Sequence, residues 1–197
     1  MNKSQNIRAQ FSLVIHLFYE GETELDYLQK FIQERSTTTL VRLNKIKQSP
    51  NPKYLVQQAI EKYPILKNNK KDEIWVVFDH DGREKEVKEA IDLLKKSQKD
   101  IHLAFMKPCI EIWPLLHNRI DNVTSQEQAQ SELEKIMPSY KHDRNPKFDL
   151  KKMPDYRYAK SVARSWDISL DGAPEYHASK FAGIYKLTEK IITIGNK

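Results

Sequence analysis

The run Trp75-Val76-Val77-Phe78-Asp79-His80-Asp81 constrains this chain more tightly than any other stretch. A short apolar segment bounded by turn residues is the pattern of a strand buried on both faces. This one stops at two carboxylates spaced i, i+2. A second segment has the same grammar: Leu13-Val14-Ile15-His16-Leu17-Phe18-Tyr19 ends at Glu20-Gly21 and continues into Glu22-Thr23-Glu24. Ligands of an open α/β sheet bind outside the carboxyl ends of the strands, where strand order reverses. Acids ending two neighbouring strands converge there. Clustered carboxylates repel one another, and a hard divalent cation removes that cost. The expectation is an acidic site of the magnesium type.

The rest of the chain supplies the alternation such a sheet requires. Strands are expected at 11–19, 37–43, 73–79 and 101–106. Helical periodicity follows each: Leu25, Leu28, Phe31 and Ile32 after a Thr23 cap; Val56, Ala59, Ile60 and Tyr63; Val87, Ala90, Ile91 and Leu94; and the segment 110–120. This β-α order predicts a Rossmann-like open parallel sheet with helices on both faces. Residues 1–122 form the α/β core in this reading. Residues 123–197 form a helical extension with a basic loop, packed on the core as part of one domain. Its helices are expected at 125–137, 155–168 and 176–192, with a long loop over 139–154.

With 197 residues and 39% hydrophobic content, the chain can bury one core. No stretch approaches a membrane span, and the polar start lacks the apolar run of a signal peptide. A single cysteine, Cys109, excludes an internal disulfide and a multi-cysteine zinc site. Cytoplasmic residence without a membrane partner is expected. The formal net charge is +6, and residues 138–197 hold twelve Lys and Arg against seven Asp and Glu. That asymmetry suits a polyanionic partner, with ordinary solvated surface as the alternative.

The acids can be read one by one. Glu20 leaves its strand at Gly21, expected to permit a sharp exit into the crevice. Glu24 lies one helical turn on, and Asp79 and Asp81 share a side by the two-residue strand period. Glu111, in an otherwise apolar segment, either faces solvent or aims at the site. A turn just past a strand is the plain alternative for the Asp pair. His80 should point away from its acidic neighbours. His16, Cys109, Trp113, Leu115 and Leu116 read as core, and His117 as a helix end.

Three motifs in this order resemble one family: Tyr19-Glu20-Gly21-Glu22-Thr23-Glu24 with Tyr27, Val76-Val77-Phe78-Asp79-His80-Asp81, and Pro108-Cys109-Ile110-Glu111-Ile112-Trp113-Pro114-Leu115-Leu116-His117. They resemble RloB-like proteins, small proteins of Toprim fold. This is the catalytic fold of topoisomerases, primases and the overcoming-lysogenisation-defect nucleases. The resemblance covers about residues 11 to 192. Two departures stand out: Lys107 precedes Pro108-Cys109 where Ser or Asn is usual, and the terminal turn reads Ala173-Pro174-Glu175-Tyr176. The resemblance implies a restriction-associated or antiphage role.

Together these readings lead to a Mg²⁺- or Mn²⁺-dependent phosphodiesterase acting on DNA or RNA. Asp79 and Asp81 would hold metal, Glu20 would bind metal or act as general base, and Glu24 and Glu111 would be further ligands. Arg144, Lys147, Lys151, Lys152 and Arg157, interleaved with Tyr140, Phe148, Tyr156 and Tyr158, would meet phosphates and bases. Lys160 and Lys180 would reach a phosphate near the metal, as a lysine does in some Toprim nucleases. One alternative is a non-catalytic module that senses nucleic acid or binds a partner such as an ATPase, with oligomerisation open. The other is a haloacid-dehalogenase-type phosphatase, whose Asp-x-Asp-Gly signature Asp79-His80-Asp81-Gly82 matches superficially. That signature ends a first strand, and here a full β-α-β-α precedes it.

Overall fold

The computed structural model describes residues 13–34, 41–67, 72–141, 147–168 and 178–195. The chain runs β1 (Leu13–Tyr19), α1 (Glu22–Glu34), β2 (Val41–Gln48), α2 (Pro52–Leu66), β3 (Asp72–Asp79), α3 (Glu84–Ser97) and β4 (His102–Lys107). It continues through α4 (Ile112–His117), α5 (Gln126–Ile136), a 3-10 turn (Leu150–Lys152), α6 (Tyr156–Ile168), β5 (Phe181–Ala182) and α7 (Ile184–Gly195). The sheet order is β2-β1-β3-β4-β5, with β1 to β4 parallel and β5 antiparallel to β4. From β1 the chain steps outward to β2, then crosses back to place β3 on the other side of β1. Strand order therefore reverses between β1 and β3, where Glu20 and Asp79 end their strands.

The two faces divide by the strand period of two. Ile74, Val76 and Phe78 of β3 pack with Leu55, Val56 and Ala59 of α2 and Val87, Ala90 and Ile91 of α3. Trp75 and Val77 pack on the opposite face, in a cluster that joins α1 to α4, α5, α6 and α7. Asp79 has the parity of that second face. The buried Trp113 indole donates to the Tyr27 hydroxyl at 2.6 Å and ties α4 to α1. No helix among the described residues is long and apolar enough to cross a membrane.

Several local expectations shift. Strand β2 runs on to Gln48, beyond the expected end at 43, and residues 37–40 of that expectation lie outside the described residues. Thr23 sits inside the first turn of α1 instead of capping it. The helix expected over 110–120 shortens to six residues, with Arg119 left-handed just beyond it at φ 61°. The helix expected over 176–192 begins at Ile184, and β5 precedes it. Two residues of strand carry no periodicity, so β5 is invisible until β4 offers an edge. Phe181 then stacks on Phe105, with ring centroids 4.7 Å apart. The terminal turn Ala173-Pro174-Glu175-Tyr176 falls outside the described residues.

Gly183 shows how closely the last segment approaches the sheet. Its N–H donates to the Phe105 carbonyl at 2.9 Å, and a Cβ there would meet that oxygen and a Phe181 ring carbon, each at 2.9 Å. Gly183→Ala should therefore destabilise the fold by about 1–3 kcal/mol, at about 2–4 °C of Tm per kcal/mol for a domain of this size. A thermal melt checks it, and an unchanged Tm would mean that the β5 docking is looser than described.

Candidate functional site

The site grows from three parallel strand ends. The Glu20 N–H donates to the Val77 carbonyl at 3.1 Å, so the chain leaving β1 stays hydrogen-bonded to β3. The Asp79 N–H donates to Glu20 Oε2 at 3.1 Å, which turns the Glu20 side chain across the β1–β3 junction. Beyond β3 the chain reverses with Asp81 at φ 45° and Gly82 at φ 72°, a left-handed pair that Asp and Gly tolerate best. Asp81 therefore owes its position to the turn and to its N–H bond with the Pro108 carbonyl, not to strand alternation. Gly21 shows no positive φ, against expectation. A Cβ there would meet Glu24 Oε2 at 3.2 Å, and the Gly21 N–H donates to that oxygen at 3.0 Å. The glycine leaves room for a carboxylate.

A cation not anticipated from sequence stands in this turn. Arg83 Nη2 lies 2.7 Å from Glu20 Oε1, donates to the Asp79 carbonyl at 2.7 Å and lies 3.7 Å from Asp81 Oδ2. Its Nη1 donates to the Pro50 carbonyl. Arg83 spans the strand-end loops and neutralises the outer acids. The signal was present, since Arg83 follows Asp81 by two residues. Its direction depends on Pro50 and Glu20, which are distant in sequence.

Behind this outer layer lies a buried one. Glu24, Asp79 and Glu111 are 3%, 6% and 0% exposed. Burial, with Glu20 and Glu111 adding repulsion, pushes the Glu24 carboxyl up to about 8. Burial, then Glu24, Glu111 and Asp81, pushes Asp79 well above the usual carboxylate range. Asp79 Oδ1 is buried without a hydrogen-bond partner. Glu111, in the turn preceding α4, accepts from the Tyr140 hydroxyl at 2.6 Å. All five predicted acids therefore meet at one end of the sheet. These are hard oxygen donors of the kind Mg²⁺ or Mn²⁺ takes. Among the described residues, however, no three His, Cys, Asp or Glu side chains form a group that could hold a metal ion. Burial and the neighbouring acids raise the Cys109 thiol, which makes it a poor nucleophile.

The basic residues do not join the acids. Phe148, following Lys147, is held along α1: its N–H donates to Asp26 Oδ2 and its carbonyl accepts from Lys30 Nζ. Lys151 and Lys152 are exposed on the 3-10 turn. Its flanks, Leu150 and Met153, line a cavity with Glu34, the last residue of α1. That is roughly 18 Å of helix from Glu22 at 1.5 Å per residue. Arg157 is exposed on α6, Lys160 pairs with Glu189 at 3.0 Å, and Lys180 donates to the Asp121 carbonyl. Arg144 lies outside the described residues. Tyr140 and Phe148 are 0% and 3% exposed and pack against each other, so they are core and not stacking platforms.

The protonation of Glu24 has a sign that can be checked. A carboxyl whose folded pKa is raised keeps a proton that the unfolded chain releases. Its contribution to stability is full below pH 4.5 and is lost as the pH rises toward 8. Asp79 acts in the same direction. His80, lowered from 6.5 to about 4 by burial, acts oppositely below pH 6.5. Between pH 6.5 and 8 the wild-type Tm should therefore fall by up to roughly 3–5 °C per pH unit, from about 1.4 kcal/mol per proton per unit. Glu24→Gln should flatten that fall, and parallel melting curves for both proteins would show that Glu24 is ionised in the fold.

The family model described as RloB-like protein matches residues 15–191. That interval contains all three motifs, every acid of the site and Arg83. No curated protein and no solved structure matches the chain. With its match spanning nearly the whole sequence, the chain belongs to the RloB-like protein family.

Proposed function

We propose that the acidic end of the sheet is the Mg²⁺ or Mn²⁺ site of a phosphodiesterase acting on nucleic acid, of the Toprim type and serving antiphage defence. One observation carries this reading: five carboxyl groups converge where strand order reverses, and a buried oxygen of Asp79 has no hydrogen-bond partner. Such an arrangement is costly unless a cation compensates it. The donors are chemically suited to a hard divalent ion, and Glu20, Asp79 and Asp81 would have to close around it, with Glu24 and Glu111 behind them. When bound, the ion would activate water and polarise a phosphoryl oxygen.

The protein's own groups divide the remaining work. Glu20 would accept a proton from attacking water, since it belongs with Asp81 to the outer, partly exposed layer of the cluster. Arg83 must release Glu20 and Asp81 before either can bind a cation, and the freed guanidinium suits a phosphate. Glu24, its carboxyl pushed up to about 8, would give up a proton as the ion enters. Asp79 ends the third strand, whereas the nucleophilic Asp of a haloacid-dehalogenase-type phosphatase ends the first, which weighs against that reading. The arginine closure favours one second reading, in which the protein is a nucleic-acid-sensing or partner-binding module and a partner such as an ATPase opens the site.

Mg²⁺ or Mn²⁺ should raise the wild-type Tm, because a ligand at 100 times its Kd stabilises the fold by about 2.7 kcal/mol. Asp79→Asn should abolish that shift. Arg83→Met should lower the metal-free Tm and enlarge the metal-induced shift. Equal shifts in wild type and Asp79→Asn would count against the site. In a cleavage assay on single-stranded DNA, RNA or transfer RNA, Glu20→Gln should lose at least about 10²-fold, the low end of general-base effects. Phosphate release from a small monoester that survives Glu20→Gln would select the phosphatase instead.

Replacing Lys147, Lys151 and Lys152 together with Gln should weaken double-stranded DNA binding at all sequences and reduce its salt slope by about 2–3. An unchanged slope would assign these exposed lysines to solvated surface alone.

A further inference from the structure

A cavity of about 350 Å³ opens beside Asp81, between the turn after β3 and the start of α5. His80 forms part of its wall and is 4% exposed. Its Nδ1 accepts the Gly82 N–H at 3.1 Å, which places the imidazole proton on Nε2. That Nε2 is buried and has no hydrogen-bond partner. Lys107 lines the same cavity, 16% exposed, and lies 3.6 Å from a carboxylate oxygen of the 76% exposed Glu84. Ser125, the N-cap of the eleven-residue α5, lends Oγ to the Gln128 N–H and leaves its own O–H to donate. Ser179 adds another hydroxyl. Donors thus dominate the lining. The acids at the rim are Asp81, which faces Arg83, and the exposed Glu127.

We propose that this cavity is a phosphate subsite, taking the phosphodiester next along the strand from the one at the acidic site. The assignment rests on the nucleic-acid reading for its occupant, whereas the cavity and its donors stand independently of metal. Phosphate oxygens are acceptors only, and they match a neutral imidazole N–H, an ammonium, two hydroxyls and a helix start. The position fits because Asp81 belongs to both sites. A chain whose one phosphate meets Asp79 and Asp81 brings its next phosphate to the neighbouring cavity. Lys107, directly before Pro108-Cys109, supplies the cavity's charge.

The test measures binding of a labelled single-stranded oligonucleotide by anisotropy, with inorganic phosphate and a nucleoside monophosphate as competitors. The metal-induced Tm shift is recorded for each variant. His80→Asn keeps an acceptor for the Gly82 N–H and drops the Nε2 donor. Lys107→Gln removes the charge, and Ser179→Asp puts a negative charge at an exposed position that tolerates it in the fold. Each variant should weaken oligonucleotide binding by about 10-fold or more, the loss of one hydrogen bond to a charged group. Lys107→Gln should also reduce the salt slope by about 0.7. The metal-induced shift should persist in all three.

Unchanged binding in Lys107→Gln and Ser179→Asp, with the metal response intact, would overturn the subsite and leave the metal reading standing. Binding that depends on Lys107 and Ser179 in a protein without any metal response would do the reverse. Tighter binding of inorganic phosphate or the monophosphate than of the oligonucleotide would overturn the assignment to a chain phosphodiester.

Discussion

Buried carboxyl groups must keep their protons or find a cation, because neither the chain interior nor a neighbouring carboxylate stabilises their charge. At the carboxyl end of this sheet the fold uses both solutions. Arg83 neutralises the outer pair, Glu20 and Asp81, while burial holds Glu24 and Asp79 toward their protonated forms. Glu111 accepts from Tyr140, whose own hydroxyl is pushed further from ionising by burial and then by the same acid. The arrangement is compensated but not relaxed, since Asp79 Oδ1 lacks a hydrogen bond. A site in this condition is poised to exchange protons and an arginine for something more strongly charged, which is the physical content of the proposed metal role.

The C-terminal elements matter to this electrostatic state. Tyr140 reaches Glu111 from beyond α5, and Phe148 packs on Tyr140 and on Tyr27 of α1. Together with Trp113, which is bonded to Tyr27, these rings close the interior side of the acid cluster to water. Low exposure raises the carboxyl pKa values, so the helical cover controls the site without contributing an acid to it. On the other side, β5 and Gly183 bring Ser179 to the cavity beside Asp81.

Much of this arrangement was legible in the residues. The acids at 20, 79 and 81 were identifiable because strand ends announce themselves: an apolar run must stop where the chain turns, and polar residues there face the crevice. Glu24 followed one helical turn on, and Glu111 stood open between solvent and site. The alternation of strands and helices was equally plain, because each amphipathic period is local. Arg83 and Tyr140 were missed for a common reason. Each is an ordinary residue whose role depends on a partner more than twenty residues away. The aromatics at 140 and 148 looked like base-stacking rings because sequence records composition, and only packing tells a buried ring from an offered one. The shortened α4, the two-residue β5 and the true part played by Gly21 belong to the same class.

Periodicity and the placement of carboxylates therefore determined, from sequence alone, an open parallel sheet with its acids gathered at one end, since both follow from local backbone geometry. The tertiary structure decided which acids are buried, which hold protons and which face an arginine. It also decided that Phe148 of the basic loop is held along α1, while Lys151 and Lys152 are exposed on the 3-10 turn. Those outcomes depend on distances between segments remote in the chain, and electrostatic energy in a poorly solvated interior changes steeply with such distances.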